Sequence, residues 1–493
     1  MRLSLLHESP FGPKKHSGEM SEQALDRPRL LVAINNYGDG HREYLSRLIA
    51  EYRSMPFQTD IVVLSNIPKD LGPSIEVVVG LPTKNPWSLA FGHKKIFADR
   101  VNQYDLFIYT EDDILITEHN IETFLQVSAV LPANEVAGFF RKEIDRNGIL
   151  HYPEAHGSFH WDPQSVRSVG EYTLAFFTNE HSACYILTQQ QLQKAIASGG
   201  FLVPPHAGRY DMACSAATDP YTRCGLKKLI CISHFDDFLV HHIPNKYVDE
   251  YGLAEPGMHG QIEVLLGFGQ NRVASAPPFL LETRLMGSRY SKDYYEPARD
   301  DIAALIPAES RVVLSLGCGR GSMETRLASK GLRVVAVPID PVISAGAEGQ
   351  GVEIIEGDLK TARKKIEGQH FDCLLLSNML HLIENPVELL SSFKDVLSEN
   401  ARVIATVPNL SRLPEMWRRI RRDKHVKGLG SYRNAGVHVT SRRIVREWFE
   451  MAGLSVEGIT NVLTPRLQKA SLWTLGLADS LLAIELIVVS RNA

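Results

Sequence analysis

At 493 residues the chain is long enough for two or three separately packed units, which excludes one small module. Hydrophobic residues at 44%, charged residues at 22% and aromatics at 8% are globular proportions, and they exclude a disordered or fibrous chain. Fifty-three basic against 57 acidic side chains leave a formal charge of −4, which gives no global pull toward nucleic acid or anionic membrane.

A flexible leader is expected over residues 1–27, which are polar and rich in Pro, Gly and Ser. His7, Glu8 and Pro10 break its apolar start too soon for a secretory signal. From Leu30 the pattern alternates: strands LLVAI, DIVVLS, IEVVV and DLFIYT, with the helices HREYLSRLIAEY and SLAFGHKKIFADRV among them. Such alternation predicts a sheet covered by helices. Gly and Pro then cluster from Asp249 to Met286 around the apolar IEVLL. The expected division is an N-terminal domain over 28–250, a linker over 251–286 and a C-terminal domain over 287–493. The second series runs RVVLSL, a helix at 322–330, RVVAVPI, VEIIEG, FDCLLLS, a helix at 386–397 and RVIATVP. The late apolar stretch Ser471–Ser490 carries Asp479 and Glu485, so it reads as a helix and a strand and not as a bilayer span. Six cysteines without a CxxC pair read as buried thiols in a reducing compartment, so the expected location is cytoplasmic.

The loop Leu314-Ser315-Leu316-Gly317-Cys318-Gly319-Arg320-Gly321 follows an apolar strand and opens a helix, the context in which a glycine-rich turn lets backbone approach a nucleotide-like ligand. Behind it come Asp340 after RVVAVPI, Asp358 in IIEGD, then SNMLH and VIATVPN. This order, over about Tyr290 to Arg491, resembles the class I S-adenosylmethionine-dependent methyltransferases. The resemblance implies that Gly317, Gly319 and Gly321 pass under the methionine part of the cofactor, that Asp340 binds the ribose and that Asp358 meets the adenine amine. Cys318, Leu359 and Asn378 join these as cofactor contacts. Asp340 stands two residues beyond the usual ribose acid, where Pro338 is found, so a turn or cap aspartate is the competing role. His381 is a candidate for taking a proton from an acceptor hydroxyl, and His438 in GVHVTSRR is a candidate for the acceptor side. Tyr290, Tyr294 and Tyr295 read equally as a cofactor lid and as core. The expectation on which the rest depends is a tight bend near Gly317 with a cavity beside Asp358.

Ser411 to Arg446 holds eleven Lys or Arg against Glu415 and Asp423, a local +9. A solvated helical face, an anionic acceptor and an anionic membrane surface all remain open readings. Beyond Trp417 and Tyr432 no aromatic platform for nucleic acid accompanies these charges.

In the first series the strand DLFIYT ends in Glu111-Asp112-Asp113, followed by the apolar ILI. Three adjacent acids in an apolar run are costly to bury unless a cation or donors compensate them, and Mn²⁺ or Mg²⁺ would do so through hard oxygens. This resembles the acidic metal motif of GT-A glycosyltransferases, in which the metal stabilises a nucleoside-diphosphate leaving group. The resemblance implies Asp113 as main ligand, Glu111 and Asp112 toward ribose or water, the loop Asn35–Gly40 toward the base, Asp211 as a catalytic acid residue, and His241 or His242 as a further metal ligand. The expected fold is α/β in two domains: an N-terminal GT-A-like mixed-sheet nucleotide-sugar domain and a C-terminal Rossmann-like methyltransferase domain. Its partners would be a nucleotide-sugar donor and a glycan or glycolipid acceptor. The competing expectations are a non-catalytic glycan-binding N-terminal module, a nucleic-acid methyltransferase and a non-enzymatic scaffold.

Overall fold

The computed structural model describes residues 27–248, 250–269, 281–473 and 478–492. The expected leader, apart from Arg27, lies outside the described residues.

The N-terminal half opens with β1 (Arg29–Asn36), α1 (Arg42–Ser54), β2 (Gln58–Ser65), β3 (Ile75–Val79) and β4 (Leu106–Glu111). Later come β5 (Phe140–Ile144), β6 (Cys184–Thr188), α2 (Met212–Thr222) and β7 (Leu239–His242). The main sheet has the order β6-β4-β1-β2-β3, parallel except for β6, which runs against β4. Leu30 to Ile34 are fully buried because helices cover the sheet on both faces, so β1 reads as an unbroken apolar run. A second sheet pairs β5 in parallel with β7 and carries Glu143 and His242 toward the end of β4.

The segment expected as a linker contains a helix, α3 (Glu255–Gly269). Met258, Ile262 and Leu265 recur at helical spacing and are buried, and Gln261 accepts a hydrogen bond from the Trp161 indole at 3.1 Å. The stretch therefore packs as an element, and one hydrophobic cluster runs from Phe140 and Trp161 through α3 into the C-terminal sheet.

That sheet comprises β8 (Val312–Cys318), β9 (Arg333–Pro338), β10 (Val352–Ile354), β11 (Phe371–Ser377), β12 (Leu397–Pro408), β13 (Leu454–Val462) and β14 (Glu485–Asn492). Its spatial order is β10-β9-β8-β11-β12-β14-β13, with β14 antiparallel to both neighbours and the others parallel. Helices α4 (Ser322–Ser329), α5 (Leu359–Lys365), α6 (Leu413–Ile420) and α7 (Arg442–Met451) accompany it. Strand order reverses between β8 and β11, and in the N-terminal sheet between β1 and β4. In open α/β sheets such reversals leave a crevice at the carboxyl ends of the strands, where ligands bind. Among the described residues no helix is long and apolar enough to cross a membrane.

Candidate functional site

At the C-terminal reversal the chain leaves β8 through a tight turn. Gly317 at φ 71° and Gly321 at φ 79° adopt left-handed backbone that a side chain would strain. At Gly319 the constraint is contact: a Cβ there would stand 2.0 Å from the carbonyl oxygen of Tyr294. That carbonyl accepts the Arg320 amide at 2.8 Å, so the stretch Tyr290–Glu296 crosses directly over the turn. Lys292, almost fully buried, donates to the Ser377 carbonyl at 2.6 Å and anchors this crossing to the end of β11. Tyr294 also donates its amide to Gly157 of the N-terminal half at 2.7 Å. Tyr294 and Tyr295 are thus both buried and laid across the glycine loop, in a turn of their own and not in a helix.

Asp340 is fully buried beside this crossing. Its Oδ1 accepts the amides of Val342 and Ile343 at 2.7 and 3.0 Å, the local cap role, while Oδ2 has no partner. Burial raises its pKa. An unpartnered buried carboxylate oxygen costs free energy that a hydroxyl donor would recover, so the residue fits a ribose. Asp358 is exposed and caps α5 by accepting the Thr361 amide at 2.7 Å. The expected cavity beside it takes a different form. A groove of about 810 Å³ begins at Leu359, and a cavity of about 250 Å³ beside the turn is lined by Asp293, Glu296, Arg299, Met323, Asn378 and Thr406, among others. Asn378 holds φ 48° and donates its amide to Thr406 at 3.0 Å. Cys318 is buried, which pushes its thiol well up and leaves it uncharged.

The two histidines proposed for acceptor chemistry are tied to backbone. His381 is 2% exposed, with Nε2 3.0 Å from the Tyr290 carbonyl, and burial lowers its pKa to about 3. So weak a base is poorly matched to taking a substrate proton near neutral pH. Its Nδ1 is buried without a partner. His438 contacts the carbonyls of Ile383 and Glu384 through Nε2 at 2.9 and 3.1 Å, donates its amide to His381 and stacks on Tyr432. The pair crosslinks the loop after β11 to the segment before α7. Because unfolding frees His381 to bind a proton the folded chain resists, stability is expected to fall as pH drops below about 6.5 toward 3, by up to about 1.4 kcal/mol per unit. His381→Gln should flatten this acid limb in denaturant titrations at pH 7 and pH 5.

At the N-terminal reversal the acids after β4 meet the loop after β1. His41, Asp112 and Asp113 offer donor atoms that all lie within 4.8 Å of one another. Asp112 contacts His41 Nδ1 at 2.8 Å and accepts from the Asn36 amide. Asp113 faces His242 Nε2 at 3.3 Å, and His242 Nδ1 bonds the fully buried Glu143. Burial depresses the His242 pKa, but the hydrogen bonds from Asp113 and Glu143 overcome it and leave a net rise. Burial and the Asp113 charge push Glu111 up to about 8, so it is largely protonated at neutral pH and outside the charged donor set. His241 bonds Asn245 and turns to other work. Asp211 is exposed, caps α2 through the Cys214 amide at 2.8 Å, and lies close enough to Glu111 to raise its pKa. Sequence reasoning missed His41, 71 residues from Asp112; the signal was its place at the start of α1, just past the loop already marked as nucleotide-facing. Two carboxylates and an imidazole fit Mn²⁺ or Mg²⁺.

Residues 290–458 match a family described as a methyltransferase domain. Similar solved structures include S-adenosylmethionine-dependent methyltransferases from Mesorhizobium loti (16% identity, 39% of this chain and 95% of that one, TM-score 0.28), Archaeoglobus fulgidus (17%, 37% and 86%, 0.28) and Methanosarcina mazei (13%, 40% and 98%, 0.29). No curated protein matches the chain significantly. The glycine turn at the strand-order reversal thus lies within residues 290–458, the part of the chain that matches a methyltransferase domain.

Proposed function

We propose that the chain is a bifunctional transferase. Its C-terminal half moves a methyl group from S-adenosylmethionine to a glycan or related small-molecule acceptor, and its N-terminal half moves a glycosyl group from a nucleotide sugar with Mn²⁺ or Mg²⁺. The supporting observation is shared by both halves: a cluster of chemistry-bearing residues lies at the carboxyl ends of the strands that flank each order reversal.

In the C-terminal half Asp340 Oδ2 would accept a ribose hydroxyl, and the glycine turn would admit the amino-acid end once Tyr294 yields the Arg320 amide. The cofactor supplies an already activated methyl, so orientation and exclusion of water carry most of the work, and no strong base is required. In the N-terminal half Asp112, Asp113 and His41 would hold the ion, which supplies charge stabilisation to a departing diphosphate. Asp211, exposed and close to this group, is the nearest candidate for the acceptor hydroxyl. Joining the two halves would raise the concentration of one product beside the next site.

The test pairs calorimetry with S-adenosylmethionine on the wild type and Asp340→Asn with metal-dependent hydrolysis across a nucleotide-sugar panel on the wild type and Asp113→Ala. Cofactor binding weakened by Asp340→Asn and Mn²⁺-dependent hydrolysis lost in Asp113→Ala are expected. Cofactor binding without hydrolysis of any donor would make the N-terminal half a glycan-binding module.

A further inference from the structure

Helix α6 has its polar and apolar faces reversed for a surface helix. Glu415 is fully buried, and Arg412, Arg289 and Arg418 surround it at 2.8, 3.4 and 3.4 Å. This network fixes which way the helix faces. Leu413, Met416, Trp417 and Ile420, at positions i, i+3, i+4 and i+7 of a single stripe, consequently point outward at 37, 41, 57 and 69% exposure. The buried acid is compensated by its three arginines, whereas the four large apolar side chains face water, and exposed contiguous apolar surface of this kind marks an interaction site.

The charges around the stripe identify what covers it. Arg419, Arg421, Arg422, Lys424 and Lys427 are all exposed, and Arg421 lies over the Trp417 ring at 5.8 Å. Asp423, the nearby acid, is engaged as the cap of the His425 amide. A groove of about 800 Å³ beside the helix is lined by Met416, Arg419, Ile420, Arg422, Lys424 and Lys427, among others. The positive surface continues through a cavity lined by Lys424, Lys427, Arg284 and Arg209, the last from the N-terminal half. A globular protein partner would need matching acids and a complementary pocket, whereas an anionic bilayer offers a negative surface over an apolar interior to any helix of this pattern. Trp at the stripe and Arg at its margin suit the headgroup level.

We propose that α6 and the basic loop following it dock the protein on an anionic membrane surface, with Trp417 and Ile420 entering the headgroup boundary and the flanking arginines and lysines meeting lipid phosphates. The inference does not depend on either transferase reaction, because its readout is binding.

The experiment is vesicle flotation of the full chain with pure phosphatidylcholine and with mixed phosphatidylcholine and phosphatidylglycerol, at low and high salt. Binding to the mixed vesicles is expected to be at least about tenfold tighter and to weaken as salt rises. Trp417→Ser/Ile420→Ser and, separately, Arg421→Ser/Arg422→Ser should each lose about tenfold or more. All four side chains are exposed, so thermal unfolding should stay at the wild-type midpoint and separate docking from folding. Equal binding to both vesicle types, or undiminished flotation of either variant, would overturn the proposal. Tighter binding to polynucleotide than to the mixed vesicles would overturn it in favour of nucleic acid.

Discussion

Gly319→Val is expected to abolish binding of S-adenosylmethionine, with a loss of more than about a hundredfold, while the metal binding proposed for the N-terminal half stays at the wild-type level. A Cβ at this position meets three backbone atoms of Tyr294, the carbonyl oxygen at 2.0 Å, the carbonyl carbon at 2.7 Å and Cα at 2.9 Å. Backbone cannot swing aside as a lysine tip would. The chain crossing the turn would have to shift as a unit, breaking the Arg320 amide contact and straining the link from Tyr294 to Gly157. Overpacking of this kind costs about 1–3 kcal/mol of stability. The larger effect falls on the ligand, because the added isopropyl group fills the space between the glycine turn and the Tyr294 backbone, where the proposed function puts the amino-acid end of the cofactor. Gly346→Ala is the control: it lies in the same half with nothing within 4 Å of the new methyl. Calorimetry on both variants decides the matter, and equal affinity in Gly319→Val would put the cofactor at another pocket.

How much of this was legible depended on sequence distance. The strands were readable because parallel sheets covered on both faces produce unbroken apolar runs, as in LLVAI and RVVLSL, and the residues after them were readable because strand ends face the crevice. Asp340 showed as a candidate, though its fully buried state and free oxygen required the packing of the tyrosine segment above it. Helix α3 was hidden because four glycines and a proline outvoted Met258, Ile262 and Leu265, whose spacing does follow a helical face. His381 and His438 were readable as residue types only. What makes them structural is a set of carbonyl contacts from residues 54 to 91 positions away. His41 joins Asp112 only because β1 pairs in parallel with β4, bringing Asn35 opposite Glu111. The outward stripe of α6 was visible as composition, yet its direction is set by Glu415 and three arginines, one of which lies far upstream at 289.

In the N-terminal half, Asp113→Asn is expected to weaken Mn²⁺ binding by more than about a hundredfold, and Glu143→Gln by about 10- to 100-fold, although Glu143 lies outside the donor group. Asp113 supplies full negative charge: although burial pushes its pKa up, the His242 hydrogen bond prevails and holds it below the ordinary value. An asparagine keeps the shape and removes the charge. Glu143 acts one step back. Its carboxylate accepts a hydrogen bond from His242 Nδ1–H and another from the Tyr247 amide at 2.8 Å, so the imidazole is held with Nε2 toward Asp113. Replacing it with glutamine preserves volume but weakens that grip, freeing the ring to turn and Asp113 to follow. The two variants therefore separate charge from orientation. Titration of Mn²⁺ followed by paramagnetic resonance measures both without any turnover, and near-wild-type affinity in Glu143→Gln would mean that the imidazole is held by packing against Tyr247 alone, with which it stacks at 5.4 Å.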